Sequence, residues 1–177
     1  VLSGDVTRIA GASRYETADK VADEVIRLAG DAYSGDAFVA TGANFPDALG
    51  ASPIAASKIT PILLTPKNGM PYLPSKVESV VILGGTGVVT DVTQDAIERE
   101  LGISEVTRVG GADRFDTAAQ VADYGVTQGL HWDGVGIATG QAFPDALSGG
   151  AMLGSFDSVL LLTRSDSLVE PVEKRFS

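Results

Sequence analysis

Cysteine is missing from the chain altogether, which removes disulfides, thiolate metal sites and a cysteine nucleophile together. Histidine is almost missing: His131 stands alone, too little for a zinc site or for a catalytic base repeated with the rest of the chain. Basic residues are in deficit, 13 Lys and Arg against 23 acids, for a net charge of −10. That balance opposes non-specific nucleic-acid binding and docking on an anionic membrane surface, both of which need a basic face. Aromatics make up only 6% of the residues. No apolar run approaches the roughly 18–20 residues of a membrane helix. No secretory leader opens the chain, since Gly4 and Asp5 interrupt its first residues. The first residue is not Met, so the chain reads as a fragment or a processed product, and the missing leader says little about export.

Several signatures of common chemistries are missing too. There is no Gly-x-Gly-x-x-Gly fingerprint after a strand; Gly85-Thr-Gly87 and Gly134-Val-Gly136 are partial matches. A phosphate-binding loop with Gly-Lys-Ser/Thr and a Gly-x-Ser-x-Gly elbow are also lacking. No two Asp residues stand at i and i+2, as they do in many magnesium-dependent phosphoryl enzymes.

What is present is a repeat of about 100 residues. Residues 8–23 and 108–123 agree at 9 of 16 positions. Thr41-Gly-Ala-Asn-Phe-Pro-Asp-Ala-Leu49 returns as Thr139-Gly-Gln-Ala-Phe-Pro-Asp-Ala-Leu147, and Ile62–Thr65 returns as Leu160–Thr163. The expected units are a complete module over 1–104 and a second over 105–177 that lacks its last strand and helix.

Within each unit, strands alternate with helices, the mark of βαβ units and a largely parallel α/β sheet. Strands are expected at 6–9, 36–41, 61–65, 77–83, 105–109, 135–139 and 159–163, several of them continuously apolar, as strands covered on both faces are. Helices are expected at 14–29, 45–57, 91–101, 114–128, 143–155 and 168–175. Ser13 and Glu16 form a capping box, Asn44 is a candidate N-cap, and Pro53 threatens to kink or divide its helix. His131 falls in a loop.

The candidate site is the repeated Thr-Gly corner between a strand and a helix. A helix start leaves backbone N–H groups unpaired, which suits an anion. Glu16, Asp47, Asp116 and Asp145 read as first-turn acids favoured by the helix dipole. Arg14 and Arg114 do not follow that preference. They are either paired with a carboxylate such as Asp47 or Asp145, or offered to a phosphate or carboxylate ligand. Tyr15 and Phe115 read as core residues.

The ordered motifs Arg-x-x-Gly-x-x-Arg-Tyr/Phe-x-Thr-Ala (8–18, 108–118), Thr-Gly-x-x-Phe-Pro-Asp-Ala-Leu, Pro-Ile-Leu-Leu-Thr (61–65) and Val-Ile-Leu-Gly-Gly (81–85) resemble the cell wall-binding repeat 2 family of Gram-positive surface proteins. The resemblance implies a Toprim-like fold and a non-catalytic, extracellular anchor at the cell wall. It also implies binding to an anionic wall polymer, teichoic-acid-like or another phosphate-bearing polysaccharide, with no cofactor and no membrane insertion. Such modules typically pack in threes, so packing with further modules or as a homo-oligomer is expected. Carried over, the contact candidates are Arg14, Thr41, Gly42, Gly84, Gly85, Arg114, Thr139 and Gly140. The alternative, suggested by the α/β class, is a magnesium-dependent phosphoryl-transfer or nucleotide-binding enzyme, to be recognised by two or more acids around a metal near Asp47.

Overall fold

The computed structural model describes residues 6–176. Helix α1 (Arg14–Ala29) starts where Ser13 accepts a hydrogen bond from the Glu16 N–H at 3.2 Å and ends at Gly30, whose φ of 56° suits glycine. A short 3-10 turn (Gly30–Ala32) leads to β1 (Asp36–Thr41), buried at all but its first residue. Then come α2 (Pro46–Lys58), β2 (Ile62–Thr65), β3 (Ser79–Leu83) and α3 (Asp91–Leu101). The second half holds β4 (Thr107–Val109), α4 (Arg114–Thr127), β5 (His131–Thr139), α5 (Pro144–Gly154), β6 (Ser158–Thr163) and the single-turn α6 (Glu170–Glu173).

Among the described residues all strand pairings are parallel. One sheet runs β2-β1-β3-β4 and the other is the pair β5-β6. Strand β4 opens the second repeat in sequence yet pairs with β3, Val81 facing Thr107 and Leu83 facing Val109. The counterpart expected at 6–9 forms no strand, and Val6 is 96% exposed. A strand needs a partner: β4 has β3 beside it, whereas none of the described strands pairs with residues 6–9.

The two halves share one core. Phe38, Ile54, Val81 and Leu83 pack in the same cluster as Val121, Leu130, Leu161 and Val172. A second cluster, including Ala22, Ile26, Val39, Ile82 and Ile97, seats α1 and α3 on the first sheet. Leu49, Ala118, Leu160 and Leu162 form a third at the seam between α2 and the second sheet. Helix α2 therefore lies inside the molecule, with Pro46, Leu49, Pro53 and Ile54 buried.

Several local expectations change. Pro53 neither ends nor divides α2, which is helical from 46 to 58. A proline inside a helix forfeits one backbone bond, and here α4 and α5 pack against that helix. Asn44 is not an N-cap. Phe45 and Phe143 hold those positions without a side-chain cap, and the Asn44 side chain instead accepts from the Phe45 N–H at 3.0 Å. His131 is the first residue of β5 rather than a loop residue, and its N–H donates to the Asp157 carbonyl at 2.6 Å.

Candidate functional site

In an open parallel sheet, ligands favour the crevice beyond the carboxyl ends of the strands, where successive connections leave in opposite directions. Here that place lies between β1 and β3: from β1 the chain crosses to β2 on one side, and β3 lies on the other. The loops that follow β1, β3 and β4 all converge there. They enclose an open cavity of about 420 Å³ lined by Asn44, Asp47, Gly85, Gly87, Asp113 and Arg114, among others.

Each wall has a physical reason. The β3–α3 loop is held from below by Arg108. Its Nη1 donates to the carbonyls of Gly84 and Val89, both at 3.0 Å, and its Nε and Nη2 reach the Gln94 carboxamide oxygen at 3.2 and 2.9 Å. Burial lowers the Arg108 pKa, opposed by Asp91. The repeated Arg108 is thus a loop clamp. The β4–α4 loop is folded by its own helix: Thr117 Oγ1 accepts from Gly111 N–H at 3.0 Å, Asp116 from Ala112 N–H at 2.9 Å, and Asp113 caps α4 by accepting from Phe115 and Asp116. The first repeat builds the same joint with Thr17 and Glu16.

The loops meet tightly. Gly110 lies against Gly84 so closely that a Cβ would stand 2.5 Å from the Gly84 carbonyl carbon. Gly84 itself has φ near +93°, the region reserved for glycine. A Cβ on Gly84 would meet an Asp47 carboxylate oxygen at 2.5 Å. The tip of the loop is left chemically open. Among the described residues, none of the backbone N–H groups of Gly85, Thr86 and Gly87 donates a hydrogen bond. Successive free N–H groups of this kind form an anion-binding concavity.

Asp47 and Arg114 supply the charge. Asp47 is half-buried, and that desolvation raises its pKa, with Arg114 opposing the shift. Arg114 belongs to the second repeat, so the pair crosses between repeats. It also donates from Nη1 to the Gly140 carbonyl at 2.7 Å, as Arg14 does to the Gly42 carbonyl at 2.7 Å.

The Thr-Gly corners differ from expectation. Gly42 N–H donates to Thr65 O at 2.9 Å, Gly140 N–H to Thr163 O at 2.8 Å, and the Thr41 and Thr139 hydroxyls accept from the Ala43 and Gln141 N–H groups. The backbone donors of Gly42, Ala43, Gly140 and Gln141 are thus occupied within the fold. Tyr15 and Phe115 lie against Gly42 and Gly140, where a side chain would collide with the rings. Of the eight expected contact residues, the crevice gathers Gly85 and Arg114, with Gly84 behind them. Arg14, Thr41 and Gly42 line a separate, mainly apolar groove with Phe45 and Phe143, while Thr139 and Gly140 line neither. Sequence reading missed Gly87, Asp113 and the cross-repeat role of Asp47. The tandem Gly110-Gly111 beside Gly84-Gly85 was the available signal.

Among the described residues, no three His, Asp or Glu side chains gather to hold a metal ion. No helix there is long and apolar enough to cross a membrane.

A family model described as "Cell wall binding domain 2 (CWB2)" matches residues 8–94 and 108–175. The chain is 33% identical over 128 residues to the N-acetylmuramoyl-L-alanine amidase LytC of Bacillus subtilis (strain 168), covering 69% of the chain and 24% of that protein. It is 31% identical over 167 residues to the amidase enhancer of the same organism, covering 93% of the chain and 22% of that protein. Among solved structures, Cwp6 from Clostridium difficile superposes with a TM-score of 0.78 at 25% identity, over 94% of this chain and 26% of that one. Cwp8 from the same organism gives 0.74 at 27% identity, over 94% and 28%. The chain thus spans about a quarter of the length of each.

Proposed function

The chain belongs to the cell wall binding domain 2 family, whose site of action is the cell wall at the cell surface, and we propose that it is a non-catalytic module holding a larger surface protein there through an anionic wall polymer. The observation that carries the polymer contact is the crevice at the sheet's carboxyl edge. Gly85 and Gly87 line the same cavity as Arg114, and the backbone N–H groups of residues 85–87 have no acceptor among the described residues. These are the donors a phosphodiester needs. Asp47, less readily ionised than an ordinary aspartate, accepts from the hydroxyls that flank a phosphate in such polymers. The net charge of −10 makes this a local contact rather than a steered one, with little long-range attraction to an anionic partner. A Toprim-like relationship of the sheet belongs to the same proposal and is supported by its parallel order alone. The two-module division at residue 104, the expected contacts of Arg14, Thr41, Gly42, Thr139 and Gly140, and packing with further modules are part of it too.

The test is retention on purified Gram-positive cell walls before and after chemical removal of the anionic polymer. Retention on intact walls that falls after removal, and that drops for Arg114→Ala, is the expected result. Equal retention on both wall preparations would overturn the polymer assignment. No retention on either would overturn the anchoring role.

A further inference from the structure

At the opposite end of the first sheet, by the amino ends of β1 and β3, the two repeats enclose a second cavity of about 220 Å³. Its floor is apolar: Phe38, Ile54 and Val81 from the first repeat, with the half-buried Tyr124 ring of α4 packed edge-on to Phe38 at 6.4 Å and 84°. Its rim is polar, with Asp36, Lys58 and Gln128. Among the described residues, the Asp36 carboxylate, the Lys58 ammonium and the Tyr124 hydroxyl have no hydrogen-bond or ion-pair partner. An aromatic and aliphatic floor with a few convergent, uncommitted polar groups is the make-up of a small-ligand pocket.

These polar groups are not devices of the repeat. At the repeat offsets, Asp36 corresponds to Gly134, Lys58 to Phe156 and Tyr124 to Glu24. The fold is built twice, but this cluster is built once, so the βαβ scaffold does not itself require it.

We propose that this cavity is a subsite for one uncharged pyranose ring of a glycan, with Asp36, Lys58 and Tyr124 as its hydrogen-bonding residues. The ring's C–H face lies on the aromatic floor. Its hydroxyls donate to the Asp36 carboxylate and accept from the Lys58 ammonium and the Tyr124 hydroxyl. The opposite charges of Asp36 and Lys58 balance, so nothing in the pocket favours a phosphate over a neutral ring. Volume agrees: about 220 Å³ takes a single sugar rather than a chain.

The inference does not rest on the crevice and is tested apart from it. The ¹H–¹⁵N spectrum of the chain is titrated with methyl β-glucopyranoside and methyl N-acetyl-β-glucosaminide, with glycerol and sodium phosphate as controls. Expected are saturable shifts of the amides around residues 34–38, 58–60 and 124–128 with at least one glycoside and with neither control. Asp36→Asn and Tyr124→Phe, which keep the size of each side chain, should each weaken the glycoside by roughly tenfold, the worth of one hydrogen bond to a charged or buried group. Arg114→Ala should leave these shifts in place even where it abolishes wall retention. Solubilised glycan strands and isolated anionic polymer, in separate arms, tell which of the two carries the ring. No saturable shift with either glycoside, equal shifts with glycerol or phosphate, or wild-type affinity in both variants would overturn the proposal.

Discussion

Replacing Gly110 by alanine separates a closed joint from an open surface within one site. The added methyl carbon would lie 2.5 Å from the Gly84 carbonyl carbon, 2.8 Å from the Gly85 nitrogen and 2.9 Å from the Gly84 oxygen. Ordinary contact begins near 3.4 Å, so the loops must part by about 1 Å. Nothing flexible can yield, because all three atoms are backbone. Gly84 is also tied to Val109 by an N–H···O bond of 2.8 Å and to Arg108 by its carbonyl. Moving the loop strains the β3–β4 pairing and the clamp together. Overpacking of this kind costs about 1–3 kcal/mol. For a chain of this size that lowers Tm by roughly 2–12 °C. Gly87→Ala is the control, since a methyl group there meets nothing within 4 Å and its φ is not in the glycine region. Thermal and urea unfolding followed by circular dichroism read both variants. Equal Tm for Gly110→Ala and Gly87→Ala would refute the claim that these loops are locked backbone to backbone.

The same clamp predicts that Arg108→Met leaves the Gly84 and Val89 carbonyls without their donor. It should lose about 1–3 kcal/mol, and exchange of the hydrogen-bonded loop amides of Val88, Val89 and Thr90 should speed up more than that of the sheet amides. Asp47→Asn tests the half-buried carboxyl through pH. Its pKa is raised from 3.8 in the fold, so the wild type is favoured while the group is protonated and loses stability as pH climbs from 3.8 through the folded value. The Asn variant escapes that loss. Its advantage in urea midpoint should therefore be smallest in acid, grow across that window and be level at neutral pH; an advantage that shrinks as pH rises would sink the assignment. On wall retention, Arg114→Ala should cost more than Arg14→Ala. Arg114 is half-buried in the crevice, whereas Arg14 is exposed and donates only to the Gly42 carbonyl in its own repeat.

The fold was legible where local chemistry decides it. Ser13, Gly30 and the apolar spacing between them set both ends of α1, and Asp91 and Gly102 do the same for α3. In the first sheet β1 and β3 were legible because they are mostly apolar and buried at all but their first residues. The expected strand at 6–9 was not legible. Its residues are as strand-like as Thr107–Val109, and what differs is the neighbour, which no local pattern reveals. The candidate crevice was only partly legible for a related reason. Repetition marked Arg14 and Arg114 as special, but identical motifs carry no record of which copy faces which. That Asp47 feels Arg114 of the other repeat follows from α2 packing against α4 and α5.

That arrangement explains why two nearly identical motifs differ in surroundings. Pro46 and Leu49 are buried, while their counterparts Pro144 and Leu147 are exposed, Leu147 by 59% against 6% for Leu49. Asp47 is half-buried and shifted, while Asp145 is exposed. The chemistry of the motif therefore does not reside in the motif. A Thr-Gly-x-x-Phe-Pro-Asp corner supplies one carboxyl and one wall. The Gly-rich loop after the third strand of its own repeat supplies the free N–H groups, and the first helix of the following repeat supplies the guanidinium. Only the first corner meets all three among the described residues. An isolated first repeat cut before Arg108 would keep the corner and the loop but lose the clamp, β4 and Arg114. It should fail to bind walls even at concentrations where the two-repeat chain saturates them. Wall binding by that isolated repeat, at the affinity of the longer chain, would show that the crevice between repeats is not the contact.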